Sequence, residues 1–196
     1  MAVEPLRHLS VFSPERFGAR RVDIIGAGAT GGAIAVELAK LGVKNLHVWD
    51  FDHVEEHNLA NQMYGIEHVG KFKVDALAHI IKRDVNTDIT PHNERVTETT
   101  RIPGEIVILQ VDSMSARKEI GKSLYFGTTN AIIETRMGAE SGYIYTFNPN
   151  SPVHIKHWEK TLYKDEETED SACGSPTVVS ATAKLVAGFA TWQFIK

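Results

Sequence analysis

Hydrophobic and polar positions along this chain switch repeatedly between a strand-like and a helix-like period. "RRVDIIGAGATGG" is a short apolar run that breaks into glycines after Ile25, which predicts a buried strand and a tight turn. "TGGAIAVELAKLGV" then carries apolar residues at helical spacing and stops at Gly42, a C-cap residue type. "KNLHVWDFD" reads as a second strand, and strand, helix, strand in so short a space is a βαβ unit with parallel strands. The next helix is "GKFKVDALAHIIKRDVN", with Val74, Leu77, Ile80 and Ile81 on one face, followed by a short strand in "DITPHNERV". "EIVILQVD" is the clearest buried strand, a continuous apolar run ending in an acid. A helix in "SMSARKEIGKSLYF" and strands in "NAIIETR" and "GYIYTF" follow. "TVVSATAKLVAGFATWQFIK" is a closing helix whose small residues suit packing on a sheet. The polar, acidic stretch "YKDEETEDSACGS" is read as a mobile loop over 164–176. The pattern predicts an α/β protein with a Rossmann-like three-layer fold and a mostly parallel sheet. Residues 1–196 form one domain, with an N-terminal extension over 1–20 and no internal repeat.

Composition narrows the partners. The formal net charge of -4 argues against nucleic acid or an anionic membrane. No apolar run is long enough to span a bilayer, and the first residues lack the apolar core of a secretory signal. The single cysteine excludes an internal disulfide framework and a Cys-rich zinc site, and a reducing, cytoplasmic setting is expected.

The chemistry starts at the glycines. Gly26, Gly28 and Gly31 match G-x-G-x-x-G, which allows a tight turn, close approach of backbone to phosphate, and close helix–strand contact. The helix that follows offers free N–H groups and a positive dipole end to an anion. The motif leaves a predicted strand and opens a predicted helix, so nucleotide binding is expected, whether of NAD, FAD or ATP; the alternative is a turn built for packing alone. Asp50 ends the second strand, where a partner for ribose hydroxyls belongs. A dehydrogenase needs no more than that. "DFDHVEEHNLANQ" adds a second acid, Asp52, together with Asn58 and Gln62.

That stretch resembles the signature D-x-D-x-V-x-x-x-N-L-x-R-Q of the E1-like adenylyltransferases, the superfamily of ubiquitin-activating enzymes and of the ThiF, MoeB and HesA proteins. "VGKFK" resembles the family's G-x-x-K, with its lysine at Lys73, and "VDSMSAR" resembles D-[NS]-x-x-x-R, with Asp112 and Arg117. The resemblance spans roughly residues 20 to 196 in order and spacing. It implies ATP-dependent adenylation of a carboxylate with release of pyrophosphate. The acceptor would be the C-terminus of a ubiquitin-like or sulfur-carrier protein, or a small acid, and the protein a homodimer. It implies that Asp112 holds Mg²⁺, that Lys73 supplies charge, and that Asn58, Asn61 and Gln62 hydrogen-bond phosphate or ribose. A carboxylate is already an anion at neutral pH, so this reaction needs no general base. No Ser-His-Asp or Cys-His arrangement is evident, which agrees. The reaction needs in-line positioning and neutralisation of the triphosphate.

The sequence also departs from the family. Asn61 stands where the family has arginine, and Leu109 replaces an acid often found three positions before Asp112. Arg7, Arg16, Arg20 and Arg21 are candidates to restore the lost charge. Arg7 in "LRHL" is the nearest match to an N-terminal arginine that relatives pass across a dimer interface. These losses leave open a catalytically silent, binding-only relative, and an NAD(P)-dependent oxidoreductase is a further alternative. The zinc-binding C-x-x-C pairs of many relatives are absent, and His53, His57, His154 and His157 read as loop or surface residues. Cys173 lies where several relatives form a thioester or persulfide, but the preceding "DEETED" would raise a thiol pKa by repelling thiolate. Each site residue has a plainer reading: Asp112 as a helix cap, Lys73 as a solvated helix residue, Asn58 as a turn former, and Arg117 as a structural ion-pair member. Arg136 either receives the incoming carboxylate or pairs with Glu134.

Overall fold

The computed structural model describes residues 7–165 and 179–196. A short helix α1 (Pro14–Phe17) leads into β1 (Val22–Ile25), α2 (Ala29–Leu41) and β2 (Leu46–Trp49). Two 3₁₀ turns, Glu56–Ala60 and Ile66–His68, precede α3 (Lys73–Val85). Then come β3 (Thr90–His92), β4 (Ile106–Leu109), α4 (Met114–Ser123), β5 (Ala131–Met137), β6 (Gly142–Phe147), α5 (Pro152–Glu159) and α6 (Ser180–Ile195). The expected α/β architecture is observed. The six strands form one sheet in the order β3-β2-β1-β4-β5-β6; β1 to β5 run parallel and β6 pairs with β5 antiparallel.

Side chains alternate across the sheet, so each strand feeds two cores. Val22, Ile24, Leu46, Val48, Ile108 and Ile133 pack with α2, α3 and α6 on one face. Ile25, Trp49, Val107, Leu109 and Ile132 pack with Ile120, Leu124 and Trp158 on the other, under α4 and α5. Helices on both faces explain why the central strands read as continuous apolar runs. Residues 7–20 are tied to the domain, because Phe12 and Phe17 stack on Phe194 of α6 with ring centres 5.7 and 5.2 Å away.

A charge on β1 interrupts the second core. Asp23 on β1 is fully buried; it accepts two hydrogen bonds from Arg21, at 2.9 and 2.8 Å, and one from the Trp49 indole at 2.7 Å. This carboxylate links β1 to the indole on β2. Replacing it leaves both partners without an acceptor. Asp23→Ala should therefore lower the unfolding free energy by about 3–5 kcal/mol, read from the midpoint of urea denaturation at unchanged slope.

Candidate active site at the switch point of the sheet

β1 lies between β2 and β4, so successive connections leave it in opposite directions, and the crevice at the carboxyl ends of the strands opens there. The glycine turn fills its floor. Gly26 has φ 102°, and a Cβ on it would lie 2.5 Å from the Gln110 carbonyl oxygen beyond β4. A Cβ on Gly31 would lie 2.0 Å from the Gly26 carbonyl oxygen. These two glycines are demanded by the protein's own packing. Gly28 is different: nothing lies within 4 Å of where its Cβ would be. Gly28 is also the N-cap of α2 and gives it no side-chain hydrogen bond, which leaves the first N–H groups of the helix for an incoming anion.

Both polar groups of Ala27 are pinned. Its N–H donates to Asp50 Oδ2 at 2.7 Å, and its carbonyl accepts from the buried Tyr64 hydroxyl at 2.6 Å. Asp50 Oδ1 accepts from the Asp52 N–H at 2.9 Å. Burial pushes the Asp50 carboxyl above the ordinary carboxylate range, opposed by these two N–H donors and by the Lys73 charge. Asp52 and the buried Lys73 form an ion pair at 2.9 Å, and the Lys73 N–H donates to the Asp52 carbonyl at 2.9 Å. Lys73 is thus the first residue of α3 with its ammonium directed at the acids, and not a solvated helix lysine.

Asn58 is buried, and its Oδ1 accepts from the Glu55 N–H at 2.9 Å, capping the 3₁₀ turn Glu56–Ala60. Its carbonyl accepts from the Gln62 N–H at 2.9 Å. Asn61 ends that turn, and among the described residues the buried Gln62 Oε1 has no hydrogen-bond partner. Asp112 follows β4, exposed, with Oδ1 accepting from the Ser113 N–H at 2.8 Å. It does not cap α4. Ser113 does, taking the Ala116 N–H at 3.2 Å, with Asp165 accepting from the N–H groups of Met114 and Ser115 at 2.5 and 3.2 Å. The Ser115 hydroxyl, then the backbone donors, hold the Asp165 carboxyl below its ordinary range. The Asp112 carboxylate is left facing solvent with coordination capacity to spare, as a magnesium ion bound chiefly through phosphates requires.

Behind Asp112 stands a buried cluster centred on Glu134. Glu134 is fully buried on β5; it accepts from Arg117 Nη1 at 2.6 Å, from Arg136 Nε and Nη2 at 2.7 and 2.9 Å, and from the Trp158 indole at 2.5 Å. Arg117 also reaches the carbonyls of Val111 and Thr135, so it fixes the backbone just before Asp112. Burial lowers the Arg117 guanidinium from its ordinary value, with Glu134 opposing the shift. Arg136 donates as well to the Thr161 carbonyl and hydroxyl, and its guanidinium lies 4.4 Å from the centre of the Tyr145 ring. Of the two readings open to Arg136, the structure places it in the pair with Glu134.

The other arginines are dispersed. Arg7 lines a groove between α2 and α6, Arg20 lies over Phe17, and Arg21 is held by Asp23. Cys173 and most of the 164–176 stretch lie outside the described residues. His53 bridges to Phe72, and His57 lies on the surface, 3.4 Å from Glu55. Among the described residues no cluster of three His, Cys, Asp or Glu groups could hold a metal, and no helix is long and apolar enough to cross a membrane.

Comparison with known proteins identifies the family and matches the fold. The sequence matches the ThiF family over residues 7–196. It is 38% identical over 106 residues to the NEDD8-activating enzyme E1 catalytic subunit of Arabidopsis thaliana, covering 51% of this chain and 23% of that protein. It is 31% identical over 144 residues to the molybdopterin-synthase adenylyltransferase of Salmonella typhimurium, covering 68% of this chain and 57% of the relative. The chain therefore spans only part of these relatives' length. Its fold matches E. coli MccB crystallised with AMPCPP and MccA at a TM-score of 0.78, with 16% identity, 97% of this chain and 60% of that chain covered.

The glycines supply a test. Gly31→Ala should cost about 1–3 kcal/mol or more by overpacking, whereas Gly28→Ala should change stability by less than about 0.5 kcal/mol, both measured by urea denaturation.

Proposed function

The chain belongs to the ThiF family, and we propose that it activates a carboxylate by transferring to it the adenylyl group of ATP. The observation that carries this reading is the open space over Gly28, bordered by the Asp50 carboxylate and the uncapped start of α2, on the neighbouring strand to the exposed Asp112. Triphosphate lies along the N-terminus of α2, and ribose hydroxyls donate to lone pairs that Asp50 still has free. Lys73 has two ammonium protons beyond the one given to Asp52, and these go to phosphate. Asp112 would be the protein ligand of a magnesium ion, which would supply neutralisation of the triphosphate charge. Asn58 holds the turn that carries Asn61 and Gln62, and those amides hydrogen-bond the nucleotide.

One acceptor carboxylate oxygen attacks the α-phosphorus; the bond from that phosphorus to the α,β-bridging oxygen breaks, and pyrophosphate leaves with the electron pair. No proton changes hands, so the site needs charge and alignment and no base. The acceptor in this reading is the carboxyl terminus of a ubiquitin-like or sulfur-carrier protein, or a small acid. The likenesses to a NEDD8-activating subunit and to a molybdopterin-synthase adenylyltransferase favour a protein acceptor. A homodimer is part of the proposal.

Asn61, where relatives have arginine, favours a second reading: a nucleotide-binding subunit without turnover. Exchange of labelled pyrophosphate into ATP, run with candidate acceptors, separates the two. Activity is expected, and Asp112→Ala should lower it at least about 100-fold with no change in melting temperature. ATP with magnesium should raise the melting temperature and NAD should not; the reverse result would refute the assignment. Gly28→Val should weaken ATP binding at least about tenfold while stability holds, read by calorimetry.

A further inference from the structure

Phe51 lies between the two pocket acids, Asp50 and Asp52, yet its ring takes no part in either core and is 41% exposed. The Arg95 guanidinium carbon lies 3.6 Å from the ring centre, so the guanidinium rests against the phenyl face. The two residues sit on adjacent strand ends, since the Asp50 N–H donates to the His92 carbonyl at 3.1 Å and Arg95 comes three residues later. Arg95 is exposed, and among the described residues no carboxylate forms an ion pair with it. A guanidinium without an ion pair among the described residues, stacked on a half-exposed phenyl beside Asp50, is a flat, positively charged surface.

Position decides what that surface meets. With phosphates over Gly28 and ribose at Asp50, the nucleotide runs from β1 towards β2, and its base projects past Asp50 towards the end of β3. Arg95 stands at that end. We propose that Arg95, held flat by Phe51, is the platform on which the nucleobase stacks. This rests on the nucleotide reading above and adds the residues that grip the base. A guanidinium stacks on an aromatic face and keeps its charge there, and such stacking accepts any base. The pair therefore contributes affinity without selecting adenine over guanine.

Calorimetry on the full chain tests this, with ATP and GTP in the presence of magnesium and inorganic tripolyphosphate as a base-free probe. Arg95→Ala should weaken ATP and GTP by the same factor, about 5- to 30-fold, and leave tripolyphosphate within about twofold. Arg95→Lys should lose as much as alanine, because charge without a plane does not stack. Phe51→Leu should give an intermediate loss for both nucleotides. Equal loss for tripolyphosphate, or recovery with lysine, overturns the platform and makes Arg95 a phosphate clamp. Wild-type ATP binding with unchanged affinity in Arg95→Ala overturns this inference alone. No ATP binding by the wild-type chain overturns the nucleotide reading with it. Both side chains are exposed, so unchanged melting temperatures are expected for all three variants.

Discussion

A single carboxylate, Asp50, ties the turn after β1 to the turn after β2. One oxygen takes the Ala27 N–H and the other the Asp52 N–H, at 2.7 and 2.9 Å. The glycine turn cannot hold its shape through side chains, because it has almost none. Its form is imposed from outside, by the Asp50 carboxylate and the Tyr64 hydroxyl on Ala27, and the Asp52–Lys73 pair joins the turn after β2 to the start of α3. Moving Asp50 would loosen the turn after β1 and the turn after β2 together.

The two halves of the crevice are stabilised by different physics. On the β1–β2 side, backbone groups meet short polar side chains, and close packing at Gly26 and Gly31 sets the spacing. On the β4–β5 side, a buried carboxylate holds two guanidiniums and an indole, and one of those guanidiniums fixes the carbonyl before Asp112. Breaking such a buried pair costs more than its attraction suggests, since the remaining charge keeps its desolvation penalty. Asp112 itself is free of structural duty, because Ser113 and Asp165 satisfy the start of α4 in its place.

The central strands and the glycine turn were legible because their signals are local: an apolar run, a break, then a helical period. Lys73 and Asp52 were legible as types, and only the coordinates join them. α5 leaves little trace in the sequence: Ser151 followed by Pro152 is a sound helix start, but eight residues carry little periodicity. Glu134 could not be read as a hub, because its partners Arg117 and Trp158 are 17 and 24 residues away. The same holds for Asp165, 51 residues from the N–H it accepts. Pairing of distant polar groups leaves no periodic trace in one sequence. Arg136 shows the difference: its charge is legible in the sequence, but its burial beside Glu134 is visible only in the structure.

The Arg117–Glu134–Arg136 cluster carries two positive charges and one negative, in a chain whose formal net charge is -4. Charges on the surface fade over about 8 Å in physiological salt, while buried ones are shielded much less. The surplus positive charge of that cluster is buried and little screened, while the carboxylates of Asp112 and Asp165 stand exposed at the same end of the sheet. Dissolved salt therefore acts on the field at this end of the sheet through the two exposed carboxylates and leaves the buried guanidiniums almost untouched.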